Sequence, residues 1–280
     1  MKVRTLPGVS ATRAVSVLRE ASSTFQNVRG GGHSGFDLYN EYIRKASDQV
    51  KMLGSVLPRV DMDRVMTTPH YWMLLAIDPG GKGPVLNSMM NLELDEKIRL
   101  LDEAANALVA QELNYRPAGL VVVPDTNYLL HHPHQLEAIP WASLGTGEVS
   151  HLIVAIPILV VDELDKAKRR TDRTETGKES VRTRARTTLA TLEGWFENQT
   201  ETHHNLPIEE MEVEVTLVLD DPDRPRLPDA DYEIIDNARS IKDLTGGRVL
   251  IATFDSGMRL RARAAGVEAT GARTDTRARP

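Results

Sequence analysis

Cysteine is absent from the 280 residues. That excludes disulfides, thiolate zinc sites, iron–sulfur ligation by cysteine and a cysteine nucleophile, and it fits a reducing compartment. Aromatic residues are scarce, at 5%. No apolar run approaches the ~20 residues of a membrane-spanning helix. The longest, Leu152 to Val161, is interrupted by Pro157 and has the length of a buried strand. Met1-Lys2-Val3-Arg4-Thr5-Leu6 carries charge with no apolar segment behind it, so no signal peptide is read and a cytoplasmic location is expected. A surplus of positive charge is also missing. The net charge is −6, and because basic and acidic residues balance over residues 1–115, the whole deficit lies in the remainder. A binder of polyanions that works by bulk charge would look different.

What is present is globular: 41% hydrophobic and 26% charged residues, in a length suited to one or two domains. Residues 8–27, 36–57, 62–77 in part and 89–113 show helical periodicity. In the last of these, Leu92, Leu94, Ile98, Leu101, Ala105, Leu108 and Leu113 form the apolar face. Glu93, Asp95 and Glu96 are read in its first turns, where the helix dipole favours acids. Arg29 to Gly35 reads as a connector, since no Lys-Ser/Thr follows its glycines as a phosphate-binding P-loop requires. Asp78 to Pro84 is a break, and Asn114 to Gly119 a linker.

Beyond residue 119 the pattern changes. Leu120-Val121-Val122-Val123, Leu152–Ile156, Val213–Leu219 and Arg248–Thr253 read as strands, separated by helical stretches at 126–137, 158–170, 179–198 and 231–244. This alternation predicts an α/β domain with a mostly parallel central sheet, preceded by an all-α N-terminal domain. The predicted boundaries are 1–115, 119–268 and a disordered tail, 269–280.

In an open parallel sheet, ligands gather at the carboxyl ends of the strands. Asp125 follows the first strand and Asp255 the fourth. Glu163 lies in the helix after the second, and Asp231 begins the helix after the third. Each strand–helix unit thus offers one acid at the same edge. Clustered carboxylates repel unless a cation joins them. Oxygen ligands without cysteine or an evident histidine suit Mg²⁺ or Mn²⁺, which can promote phosphodiester hydrolysis.

Four segments carry a family resemblance. Val123-Pro124-Asp125-Thr126-Asn127-Tyr128-Leu129-Leu130 is similar to the opening of a PIN domain. Val161-Asp162-Glu163-Leu164-Asp165-Lys166, Asp231-Tyr232-Glu233-Ile234-Ile235 and Thr253-Phe254-Asp255-Ser256-Gly257-Met258-Arg259 resemble its second, third and fourth motifs, in order. The resemblance covers about residues 119–268. It implies a three-layer α/β/α fold and Mg²⁺- or Mn²⁺-dependent endoribonuclease activity on single-stranded or structured RNA. It also implies metal ligation and catalysis by Asp125, Glu163, Asp231 and Asp255. Thr126 and Asn127 would support Asp125, Asn127 by tying neighbouring loops, and Thr253 would act near Asp255. Asp162 and Asp165 compete with Glu163. Asp229 and Asp236 compete with Asp231, although Asp236 lies about 140° round the helix from it.

Lys166 to Arg186 is strongly basic within an acidic region. It reads either as a solvated helical face or as a phosphate-backbone clamp, with Lys168, Arg169, Arg170, Arg182 and, beyond Asp255, Arg259 as contacts. His131-His132-Pro133-His134 is read as a surface turn and His203-His204 as part of a loop. RNA is the expected partner and a homo-oligomer is left open, with neither a membrane nor an antitoxin expected. The alternatives are a non-cleaving RNA- or protein-binding module and a toxin of a toxin–antitoxin pair, the latter disfavoured by the additional N-terminal residues.

Overall fold

The computed structural model describes residues 2–79, 83–116, 118–132, 136, 139, 141–144, 149–169, 180–197, 203–208, 211–222 and 224–271. The chain divides into two compact units. One is Met1–Arg116 with Asp243–Gly246, the other Pro117–Lys242 with Gly247–Pro280.

The first unit is helical: α1 (Ala11–Gly30), α2 (Gly35–Leu53), α3 (Arg59–Val65), α4 (Pro69–Ala76) and α5 (Gly83–Leu113). Ser10 caps α1 by accepting the Arg13 N–H, and Thr68 caps α4 by accepting that of Tyr71. Helix α5 packs against α1 and α2. Leu18, Phe25, Tyr42, Leu53, Met90, Leu94, Leu101 and Leu108 fill the core. The segment 62–77 contains two short helices, because Thr67-Thr68-Pro69 ends one and opens the next.

Helix α5 departs from the sequence reading in two ways. It starts at Gly83, inside the expected break, because a proline is tolerated in a helix's first turn. Glu93 therefore sits mid-helix and is buried rather than assisting the dipole. The buried face runs through Met90, Glu93, Leu94, Lys97, Leu101, Ala104 and Leu108, leaving Leu92 and Leu113 exposed.

The second unit comprises β1 (Leu120–Pro124), α6 (Thr126–Leu130), β2 (His151–Pro157), α7 (Ile158–Ala167), α8 (Val181–Phe196), β3 (His203–Leu206), β4 (Glu212–Val218), α9 (Ala230–Thr245), β5 (Val249–Ala252), α10 (Ser256–Ala264) and β6 (Glu268–Thr270), with a short 3₁₀ turn at Trp141–Leu144. The last residues of α9 are counted in the first unit. The sheet order is β3-β4-β2-β1-β5-β6. All pairs are parallel except β3 with β4. Strands β1, β2 and β5 are buried along their whole length, which is why they read as unbroken apolar runs. The chain moves from β1 to β2 on one side and later returns to β5 on the other. The crevice at the carboxyl ends of β1 and β5 is therefore the topological switch point.

Three expectations are corrected. Helix α6 ends at Leu130 rather than 137, and part of the remaining stretch lies outside the described residues. His203 and His204 are not in a loop: they form β3 on the edge of β4, where His203 pairs with Glu214 and His204 stacks on Trp195. Edge strands tolerate such polar residues, which blurs their sequence signal. Ala269 and Thr270, expected in the disordered tail, complete β6: Thr270 aligns with Ala252, and its carbonyl accepts the Thr253 N–H at 2.9 Å. Of the rest of the expected tail, Gly271 is described and 272–280 lie outside the described residues.

Candidate active site at the carboxyl edge of the sheet

Asp125 stands where β1 gives way to α6. Its N–H donates to the Ala252 carbonyl at 3.0 Å, which joins the ends of β1 and β5. The side chain is 5% exposed, buried by the strands around it. Its Oδ1 accepts the Tyr128 N–H and caps α6, while its Oδ2 accepts the Thr253 hydroxyl, both at 2.5 Å. Burial pushes the Asp125 carboxyl up to about 6. The donors Thr253 and Tyr128 oppose that rise, and the negative charges of Asp231 and Asp255 add to it.

Thr253, fully buried, links two acids: it donates to Asp125, and its oxygen accepts the Asp255 N–H at 3.0 Å. Its hydroxyl oxygen therefore touches both Asp125 and the backbone of Asp255. Thr126 is re-assigned, since its hydroxyl donates to Glu163. Asn127 is exposed on the lining of the cleft.

A cleft of about 320 Å³ brings Asp125, Glu163 and Asp231 together with Thr126, Asn127, Lys166 and Arg184. The competing acids point elsewhere. Asp162 pairs with Arg226 at 2.6 Å, and Asp165 with Lys168 and Arg169. Asp229 accepts the N–H of Asp231 at 2.9 Å, and Asp236 lies 3.5 Å from Arg224. Asp255 is exposed and does not line the cleft. Its carboxyl is held below the ordinary range by the backbone N–H groups of Met258 and Gly257, helped by Arg261 and Arg259.

A family model described as the PIN domain matches residues 122–273, more than half of the chain. The chain belongs to the PIN-domain family. PIN domains are generally nucleases. The match runs from β1 past β6 and leaves the helical unit, α1–α5, outside. No curated protein matches the chain.

Within the PIN domain, the donor set at the cleft fits a hard divalent cation. It offers carboxylate and hydroxyl oxygens, with Asp125 buried where its charge needs a partner. No three of Asp125, Glu163, Asp231 and Asp255 bring oxygen atoms within 4.8 Å of one another. Arg261 pairs with Asp231 and lies over the Tyr232 ring. In the sequence, Arg261 is one of three arginines at alternate positions, Arg259, Arg261 and Arg263. Nothing local distinguishes the one that faces an acid from 30 residues away.

The basic residues separate into groups. Lys168, Arg169 and Arg182 line a second groove of the PIN domain, about 540 Å³, with Arg186. Arg259 is committed to the Thr253 carbonyl at 3.1 Å and the Ser256 hydroxyl at 2.9 Å. Arg170 lies outside the described residues. Lys166 and Arg184 reach the acidic cleft itself. Tyr128 stacks on Phe254 at 5.1 Å and His131 meets the same ring edge-on at 4.8 Å, fixing α6 against the turn after β5. Pro133 and His134 lie outside the described residues.

Proposed function

We propose that the PIN domain hydrolyses phosphodiester bonds of single-stranded or structured RNA with Mg²⁺ or Mn²⁺, held by Asp125, Glu163, Asp231 and Asp255. The observation that carries this is Asp125. It is a carboxylate buried at the switch point of a parallel sheet, sharing one cleft with Glu163 and Asp231, and burial, with the charges of neighbouring acids, makes its ionised form costly without a cation. The cation, when bound, supplies Lewis-acid stabilisation of the phosphoryl oxygens and a more acidic water.

The chain's own residues position and balance charge. Thr253 and the Tyr128 N–H fix both oxygens of Asp125, and Thr126 orients Glu163. Lys166 and Arg184, at the same cleft, receive the phosphate's remaining negative charge. Arg261 neutralises Asp231 and would have to release it for Asp231 to hold a cation. The groove of Lys168, Arg169 and Arg182 extends the backbone contact beyond the scissile bond. The choice of RNA over DNA rests on family resemblance, and the cytoplasm is the proposed location. Residues 1–115 form a separate helical domain that serves substrate selection or self-association.

One feature favours a second reading, a module that docks RNA without cutting it: the Arg261–Asp231 pair occupies one of the four acids. Labelled single-stranded RNA incubated with Mn²⁺, Mg²⁺ or EDTA separates the two. Metal-dependent fragments support the nuclease. RNA retained on a filter without fragments under any metal supports the docking module.

A further inference from the structure

A second constellation lies in the helical unit, outside the PIN domain. Pro69 opens α4 behind the Thr68 cap, which sets His70 in the first turn. Glu93 and Glu96 are three residues apart on α5 and so share a face. His70 Nδ1 lies 2.9 Å from Glu96 Oε2 and 4.0 Å from Glu93 Oε2. One ligand atom from each of the three side chains falls within 4.8 Å of the other two.

Glu93 carries the argument. It is 2% exposed. Its Oε1 is bound twice, by the Tyr42 hydroxyl at 2.6 Å and by Lys97 Nζ at 3.1 Å. Lys97 is itself fully buried and donates to Thr68 Oγ1 at 2.7 Å. These contacts hold the carboxylate rigidly, with the other oxygen turned toward His70. That oxygen, Oε2, is buried and has no hydrogen-bond partner. A buried carboxylate oxygen without a donor is costly, and native structures supply it with a proton donor or a metal. A simple His70–Glu96 ion pair leaves it unserved.

We propose that His70, Glu93 and Glu96 bind a divalent transition-metal cation of the Zn²⁺ type. Two ligands about 2.1 Å from one tetrahedral ion stand about 3.4 Å apart. The separations of 2.9 and 4.0 Å bracket that spacing, so sub-ångström shifts suffice. Imidazole nitrogen with two carboxylate oxygens suits Zn²⁺ better than Mg²⁺, which prefers an all-oxygen shell. Charge is consistent: Lys97 offsets one carboxylate, leaving one net negative charge beside a neutral imidazole. Tyr42, Lys97 and Thr68 orient Glu93 as outer partners do in metal sites. The ion clips the short α4 to α5, and three protein ligands leave room for water.

The test uses the full chain carrying Asp125→Asn and Asp231→Asn, so that the proposed catalytic acids do not compete. Zn²⁺ is measured by equilibrium dialysis. The expected result is one retained equivalent that excess Mg²⁺ does not displace, with His70→Ala and Glu96→Gln each weakening retention by about tenfold or more. Circular dichroism of both variants in EDTA, expected to match the parent, shows that the loss is local. Absence of retained Zn²⁺ in the parent, equal retention by the His70 and Glu96 variants, or displacement by Mg²⁺ would each overturn the assignment.

Discussion

The hydroxyl of Thr253 donates to the carboxylate of Asp125 at 2.5 Å, across 128 positions of sequence. That bond joins the ends of β5 and β1 and orients the most buried of the four acids. Thr253→Val removes it while conserving volume. The expected cost is about 2 kcal/mol in urea unfolding at pH 7, as for a hydrogen bond to a charged group. RNA cleavage should fall on the order of tenfold, with Thr253→Ser restoring both. A valine variant with unchanged activity would remove Thr253 from the site's support.

Asp125 makes stability depend on pH and on metal. Its folded-state carboxyl lies at about 6 against an ordinary 3.8, so the folded protein binds the proton more tightly than the unfolded chain. Stability from this group is therefore lost as pH rises from about 4 to about 6, and stays lost above. A shift of about two units corresponds to about 3 kcal/mol at full effect. In EDTA at pH 7, Asp125→Asn should be more stable than wild type by up to that amount, and the difference should vanish near pH 4. Mn²⁺ should stabilise wild type and leave the variant almost unmoved. Thermal melts across pH, with and without metal, provide the check.

Of the three acids on α7, only Glu163 lines the cleft. Glu163→Gln should reduce cleavage on the order of 100-fold, as expected for a group acting on transition-state charge. Asp162→Asn and Asp165→Asn break partly exposed pairs with Arg226, Lys168 and Arg169. Their expected effect is within about twofold, since such pairs contribute little. Parallel kcat/KM values distinguish them.

The Arg261–Asp231 pair predicts a metal-affinity effect of opposite sign. Arg261→Gln frees Asp231 from a competitor worth about 1 kcal/mol, so the Mn²⁺ concentration for half-maximal cleavage should drop about fivefold. A rise would mean that Arg261 assists the reaction instead of guarding the ligand.

Local chemistry explains which features were legible in the sequence. Strands β1, β2 and β5 are buried on both faces, so they read as continuous apolar runs, and Pro124-Asp125 marks where the first one ends. The sheet and the positions of the acids at its edge follow from that pattern. Features set by tertiary contact did not. Strand β3 is four polar-leaning residues whose pairing comes from β4. Thr126 meets Glu163 37 residues away, which no local spacing reveals. The start of α5 was hidden because Gly83-Pro84 serves equally as a break and as a helix opening. Once that start moves, Glu93 changes from an acid of the first turns to a buried mid-helix one beside His70.

The most direct test of the central claim is single-turnover cleavage of end-labelled single-stranded RNA by wild type and Asp125→Asn, each with saturating Mn²⁺ and with EDTA. The account predicts cutting by wild type with Mn²⁺ alone and loss of cutting in the variant, whose fold is intact and more stable in EDTA at neutral pH. Cutting that persists in Asp125→Asn, or that proceeds in EDTA, would contradict a reaction centred on the buried acid at the end of β1.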